Sequence, residues 1–197
     1  MTESTKSIEI AHSELRSLVI KAARGAGLDW GMAEEAGWAA DWLARRSMPA
    51  ADWAALWLVE AVEGQPHPVG IGTRLADRFA SGEGPLLAEA LPDGLPAPGF
   101  LLPFLHLVAA RHGAVELKGR TGRAARVQPD GTVDIGPDWS QRTQGWSVGM
   151  ASGKGAPGRV TLSGPVSICL ESLALRTTVP PSATSRRDAG SAMTDND

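Results

Sequence analysis

The side chains best able to do chemistry in this sequence are four histidines, one cysteine and a serine within a Gly-x-Ser-x-Gly pattern. The histidines are His12, His67, His106 and His112. No two of them are four residues apart, the spacing that places two metal ligands on one helix face, so the sequence predicts no metal site. Cys169 lies in an apolar run, which predicts a buried and unreactive thiol because apolar burial raises a thiol's pKa.

Gly145–Gly149 reads Gly-Trp-Ser-Val-Gly and matches the nucleophile elbow of hydrolases letter for letter. An elbow needs a core strand before its serine and a helix after it, whereas Ser147 follows a polar segment and precedes a Gly-rich one. Gly149–Gly155 similarly resembles a phosphate-binding loop but is one residue short, and Gly155 replaces the residue that would hold Mg²⁺. Neither motif predicts a reaction.

A second group of candidates flanks a turn between two predicted helices near the start of the chain. Arg24 precedes this turn, and the neighbouring carboxylates Glu34 and Glu35 follow it. Two carboxylates can act as general acid and general base only if their environments give them different pKa values. The alternative is that they belong to a solvated helix face without a catalytic role. Both interpretations stay open, and we treat all three residues as candidate binding residues.

Tryptophan is concentrated in the same region, with five of the seven tryptophans between Trp30 and Trp57. Trp38 and Trp42 are four residues apart, as are Trp53 and Trp57, so each pair shares one helix face. One interpretation is a core between helices, and the other is an exposed face that binds a partner or a flat ligand. Trp30, Trp38 and Trp42 are the candidate binding residues on the second interpretation.

Apolar periodicity predicts three helices in residues 1–64. The first has Ser13 as its N-cap and ends at Gly25 and Gly27, and Asp29 caps the second. Small residues on the second helix allow another helix to approach closely. The third runs from about residue 47 or 49 to residue 63.

Residues 65–99 are rich in Gly and Pro and are predicted to connect two lobes, with short helices at Thr73–Phe79 and Pro85–Ala90.

A mixed lobe is predicted at residues 100–178, starting with a buried helix over residues 100–112. Pro129-Asp130-Gly131 predicts a hairpin. Pro165–Leu175 is read as one more strand that runs into a helix, although the apolar period of this segment does not decide. The predicted strands are Ala114–Lys118, Ala124–Gln128, Thr132–Ile135 and Arg159–Ser163. The fold class is therefore α+β, with a three-helix N-terminal lobe and a C-terminal lobe of short, mostly antiparallel strands around a buried helix.

Composition narrows the function classes. The 197 residues are 43% hydrophobic and 21% charged with a net charge of −3, which indicates a globular protein and disfavours nucleic-acid binding. Residues 1–100 carry 8 Lys and Arg against 14 Asp and Glu, whereas residues 101–197 carry 11 against 8.

The most apolar stretch is too short to span a bilayer, and residues 1–7 lack a signal-peptide core. A cytoplasmic protein is expected, and the 15 Arg against 4 Lys suggest a GC-rich bacterial genome.

Two strings resemble a proteobacterial domain family of unknown function. The first is Lys21–Gly37, with its Arg-Gly-Ala-Gly, Trp-Gly and Ala-Glu-Glu elements, and the second is the ending Leu173–Arg186 with the final Thr-Asp-Asn-Asp. Composition predicts a disordered tail at residues 179–197, but the resemblance implies that the tail binds something. Asp195, Asn196 and Asp197 form a cluster of hydrogen-bond acceptors, for which Arg24 is a candidate partner.

Two functions fit these observations. The first is a non-catalytic accessory protein of metabolism that binds a protein partner through the helical lobe. The second is a small-molecule enzyme whose site joins the first helix-turn-helix to the tail. The sequence identifies no cofactor. An exposed tryptophan patch would favour the first function, and a perturbed carboxylate in a polar cleft would favour the second.

Overall fold

The computed structural model describes residues 7–61, 65–81, 90–137, 139–146 and 159–176. Six α-helices and five strands lie in these ranges, so the predicted α+β class is confirmed. The helices are α1 (His12–Gly25), α2 (Trp30–Ala44), α3 (Ala50–Glu60), α4 (Pro68–Ala80), α5 (Leu102–His112) and α6 (Gly164–Leu175). The strands are β1 (Ile8–Ala11), β2 (Val115–Lys118), β3 (Arg123–Val127), β4 (Val133–Ile135) and β5 (Arg159–Leu162).

Helices α1 and α2 form a tight pair at the start of the fold. Gly37 makes the close approach possible, because a Cβ at this position would lie 2.4 Å from a side-chain carbon of Ile20. Asp29 caps α2 as predicted, and its carboxylate accepts a hydrogen bond from the Met32 backbone N–H at 2.8 Å. The Ser13 cap is wrong: α1 begins one residue after Ala11, whose N–H donates to the Glu14 carboxylate at 2.6 Å.

The two ends of the described chain meet in a second close pair. Strand β1 pairs antiparallel with β5, with Ile8 opposite Leu162, and each strand leads directly into a helix. Helices α1 and α6 then pack together, and Gly25 lies against the backbone of Leu173. The segment Pro165–Leu175, predicted as a strand that runs into a helix, is helical throughout and belongs to α6. Residues from both predicted lobes contribute to one hydrophobic core, and the division of the chain at residues 64 and 99 stays a prediction.

The Gly- and Pro-rich region contains more regular structure than its composition suggests. Helix α4 covers Pro68–Ala80 and is longer than the predicted Thr73–Phe79, while nearly all of the helix predicted at 85–90 lies outside the described residues. Gly72 of α4 lies against the Phe104 ring of α5, and Gly99 lies against the Trp53 ring. Glycine at these positions lets backbone pack directly on aromatic rings.

The remaining strands form a three-stranded antiparallel sheet in the order β2-β3-β4, packed on α5. The predicted hairpin is confirmed between β3 and β4, where the Thr132 N–H donates to the Asp130 carboxylate at 2.9 Å. Gly131 supplies the left-handed backbone that this turn requires, with φ of 80°. The sheet thus packs on α5, and its turn contacts Arg46, which follows α2, the helix that carries most of the candidate site residues.

Candidate functional site

The start of α2 presents one large aromatic side chain to solvent. Trp30 is the first residue of the helix, is 62% exposed, and follows Asp29, which fixes the helix end through its capping bond. Glu34 is exposed one helical turn later on the same face. An indole with a carboxylate one turn away can hold a cationic group, because the ring face attracts cations and the carboxylate pairs with them.

Glu35 has the most perturbed environment of the candidate carboxylates. Burial raises its pKa above the ordinary value, and the nearby negative charges of Asp77 and Glu34 raise it further. Asp77 lies on α4, so this group of carboxylates joins two neighbouring helices. Glu35 therefore holds a proton at a higher pH than an ordinary glutamate does, and a cation placed here would favour its ionised form. The sequence did not identify Asp77, since it is distant in the chain and has no local motif.

Arg24 reinforces the turn between α1 and α2. Its guanidinium donates a hydrogen bond to the Leu28 carbonyl oxygen, four residues further along the chain. A guanidinium has five N–H donors, so this bond uses only part of its capacity. Its predicted partners Asp195, Asn196 and Asp197 lie outside the described residues, and their contact with Arg24 stays a prediction.

The tryptophan pairs lie in the core and do not form an exposed face. Trp57 is 1% exposed and Trp42 is 8% exposed, and Trp53 is also buried. Trp38 is half-buried and packs edge-to-face on the Phe104 ring, with 5.3 Å between ring centroids. Of the three tryptophans proposed for binding, Trp30 is exposed to solvent, whereas Trp38 and Trp42 mainly hold helices together.

His67 acts within the fold as the N-cap of α4. Its Nδ1 accepts a hydrogen bond from the Gly70 N–H at 3.2 Å, and its ring stacks on Trp57 with 5.5 Å between centroids. Burial lowers the pKa of His67 below its ordinary value, and the Asp29 carboxylate partly opposes this shift. Histidine is not among the usual capping residues, so sequence reasoning missed this role.

A second polar group joins the end of α2 to α5 and to the β3–β4 turn. The Arg46 guanidinium lies over the Trp42 ring, 3.6 Å from its centroid, and its Nε donates to the Gly131 carbonyl at 2.9 Å. The Trp42 indole N–H donates to Nδ1 of His106 at 3.2 Å. These contacts use polar atoms of Arg46, Trp42 and His106 within the protein, so the group connects elements of the fold.

Several candidates from the sequence do not add to a site in the described part of the chain. Among the described residues, no group of three or more His, Cys, Asp and Glu side chains could hold a metal ion. Ser147 and Gly149–Gly155 lie outside the described residues. Cys169 is half-buried in α6, and burial raises the pKa of its thiol. Within the described residues, no helix combines the length and apolar character that crossing a bilayer requires.

A family model matches part of the chain. Residues 10–56 match the model of a family described as "Protein of unknown function (DUF3726)". The predicted resemblance to a domain family of unknown function is thereby confirmed for the segment that covers α1, α2 and the first half of α3, while the chain's ending lies beyond the matched residues. No curated protein and no solved structure matches the chain significantly.

Proposed function

We propose that this protein is a non-catalytic accessory protein of bacterial metabolism that binds a cationic segment of a cytoplasmic partner protein at the start of α2. The observation that carries the proposal is Trp30, a large aromatic side chain that is 62% exposed at a rigidly capped helix end. Tryptophan is enriched among the residues that dominate binding energy in protein interfaces. The matched family segment includes this helix end.

The charges around Trp30 support a cationic partner. Glu34, Glu35 and Asp77 lie near one another on α2 and α4, and Glu35 is partly withdrawn from water. A partner arginine can stack on the indole and pair with these carboxylates, as Arg46 already stacks on Trp42 within this chain. An ion pair with half-buried Glu35 is screened less by salt than one with a fully exposed carboxylate.

The first experiment compares three tagged proteins purified from the native host. Wild type is set beside Trp30→Ala and beside Leu107→Ala, which removes a 44% exposed apolar side chain from α5 as a matched control. We expect one stoichiometric partner with wild type and with Leu107→Ala, and at least about tenfold weaker binding with Trp30→Ala, the effect of losing a typical hot spot. A partner that binds Trp30→Ala as tightly as wild type would contradict the proposed site.

Charge is then tested with the purified partner. Glu34→Gln combined with Glu35→Gln keeps the side-chain sizes but removes two negative charges, so binding is expected to weaken and to lose part of its salt dependence. Partner binding to wild type is also expected to release a proton from Glu35, because a nearby cation favours the ionised form. Calorimetry in buffers of different ionisation enthalpy measures that release, and no release around the pH at which Glu35 titrates would argue against contact with Glu35.

Glu35 also supports a second candidate function, a small-molecule enzyme with its site between the first helix-turn-helix and the tail. A carboxyl group whose pKa is raised by burial and by neighbouring charges is a frequent acid or base in active sites. On this proposal the acceptors of Asp195–Asp197 reach Arg24. Deleting residues 190–197 is expected to lower the melting temperature or abolish ligand binding, and Arg24→Ala is expected to have the same effect. Unchanged melting and binding in the deletion variant would rule out a docked tail.

A further inference from the structure

His106 lies where three separate elements of the fold meet. Its Nδ1 accepts the Trp42 indole N–H of α2 at 3.2 Å, and its Nε2 lies 3.3 Å from the Pro129 carbonyl oxygen of the β3–β4 turn. Arg46, just after α2, covers the Trp42 ring and binds the Gly131 carbonyl of the same turn. One imidazole on α5 therefore connects a helix to a hairpin turn, and Arg46 makes a parallel connection beside it.

These partners determine which form of the imidazole fits. Since the indole N–H can only donate, Nδ1 of His106 has to be the unprotonated ring nitrogen. The proton of the neutral ring then resides on Nε2, where it can be donated to the Pro129 carbonyl. Adding a second proton places an N–H on Nδ1 directly opposite the Trp42 N–H, and two donors cannot form a hydrogen bond.

We propose that His106 is a proton-operated link between α5 and α2, closed when its imidazole is neutral and opened when the imidazole is protonated, while its Nε2 contact with the β3–β4 turn is kept. Opening removes the Trp42 hydrogen bond and places a second positive charge near Arg46. Two charged groups act on the ring: Arg46 from the end of α2 opposes protonation, and Asp130 from the turn favours it. Acidification thus breaks the link between α5 and α2 at His106, while the protonated Nε2 can still donate to the Pro129 carbonyl oxygen.

The electrostatics agree with this geometry. Burial lowers the pKa of His106, Arg46 lowers it further, and the Pro129 carbonyl and Asp130 oppose the shift. Because the folded pKa is below the unfolded one, the stabilisation is complete above the ordinary value of 6.5. It decreases as the pH falls below that value and is lost once the pH has passed the lower pKa of the folded state.

The decisive experiment follows both partners by NMR during a pH titration of the full-length protein. We expect the Trp42 indole N–H and the Arg46 Nε–H signals to shift with the same midpoint as the His106 Cε1–H signal. His106→Asn provides the matched control, because its amide oxygen can accept the indole N–H near the Nδ1 position but does not titrate. In this variant the Trp42 and Arg46 signals are expected to stay constant over the same range.

Thermal melting gives a second readout, measured in a His67→Asn background so that the other histidine whose pKa is lowered by burial does not contribute. The double variant carries His106→Asn in addition. Acidification from pH 7.5 to 5 is expected to lower the Tm of the single variant by about 2–4 °C more than that of the double variant. This difference is the shift expected for the loss of one hydrogen bond. A Trp42 indole signal that does not change through the His106 titration would overturn the proposal. Equal Tm losses in the two variants would overturn it as well.

Discussion

Gly25 of α1 lies against the backbone carbonyl of Leu173 in α6 so closely that a Cβ on Gly25 would be 1.5 Å from the carbonyl oxygen. The obstacle is backbone, which cannot rotate away as a side chain can. Gly25→Ala is therefore expected to force α1 and α6 apart and to destabilise the fold by about 3 kcal/mol or more. Gly31→Ala is the control, because its Cβ would only reach ordinary contact distance and alanine favours a helix by about 0.5–1 kcal/mol. Urea unfolding of both variants checks the prediction, and equal stabilities would contradict it.

The β3–β4 turn requires glycine at position 131 for two reasons. The backbone there is left-handed, and neighbouring side chains leave no room for a Cβ. Its φ is 80°, and a Cβ would lie 2.5 Å from Arg46 and 3.1 Å from Nε2 of His106. Gly94 has nearly the same φ of 78° but open space around it. Gly94→Ala thus measures the cost of left-handed backbone alone, about 1–2 kcal/mol. We expect Gly131→Ala to cost about 1–3 kcal/mol more, since Arg46 or His106 has to move. Similar losses in the two variants would mean that the turn accommodates the extra methyl group freely.

The cap that His67 forms on α4 is expected to fail in acid. Protonated Nδ1 cannot accept a hydrogen bond from the Gly70 N–H. The lowered pKa of His67 means that the folded state favours the neutral imidazole. This stabilisation is complete above the ordinary value of 6.5 and is lost as the pH falls below it toward the folded pKa. His67→Asn keeps a capping oxygen that does not titrate, whereas His67→Ala is expected to cost about 0.5–2 kcal/mol at neutral pH. Unfolding curves at pH 7.5 and 5 should show a smaller acid loss for His67→Asn than for wild type.

Arg142 and Thr143 are neighbours in the chain, but we expect them to contribute very differently to the stability of the fold. Arg142 pairs with Glu60 at the end of α3, but both side chains are 39–49% exposed, so Arg142→Ala is expected to change the free energy of unfolding very little. The Thr143 hydroxyl is fully buried, accepts the Leu95 N–H at 2.9 Å and donates to the Pro92 carbonyl at 2.7 Å. Thr143→Val keeps the shape and leaves both groups unpaired, at a cost of about 1–3 kcal/mol. A larger loss for Arg142→Ala than for Thr143→Val would reverse this ranking.

Features that depend on neighbouring residues could be predicted from the sequence. Asp29 at the start of α2, Gly27 with its positive φ after α1, and the turn at Pro129–Gly131 each follow from local backbone chemistry. The small residues of α2 also predicted a close helix neighbour, which is α1 at Gly37. In each case the pattern that predicts the feature lies within a few residues or along one helix face.

Features that depend on distant partners could not be predicted in this way. Strand β1 has only four residues, and its partner β5 is about 150 residues away, so no local pattern reveals the pair. The raised pKa of Glu35 depends on Asp77 from another helix. Whether Trp42 faces solvent or the core depends on Arg46 and His106, which cover it. Helical spacing shows that side chains share a face but does not show what lies against that face.

The antiparallel pair of β1 and β5 has a consequence for how the chain is made. Ile8 is translated about 150 residues before its partner Leu162. At a synthesis rate of about 5–20 residues per second, β1 waits roughly 8–30 s on the ribosome before its partner exists. During that interval α1 and α2 can associate, but the surface of α1 that later contacts α6 is exposed to solvent. The nascent chain therefore exposes an unpaired strand and an apolar helix surface, the features that holdase chaperones recognise.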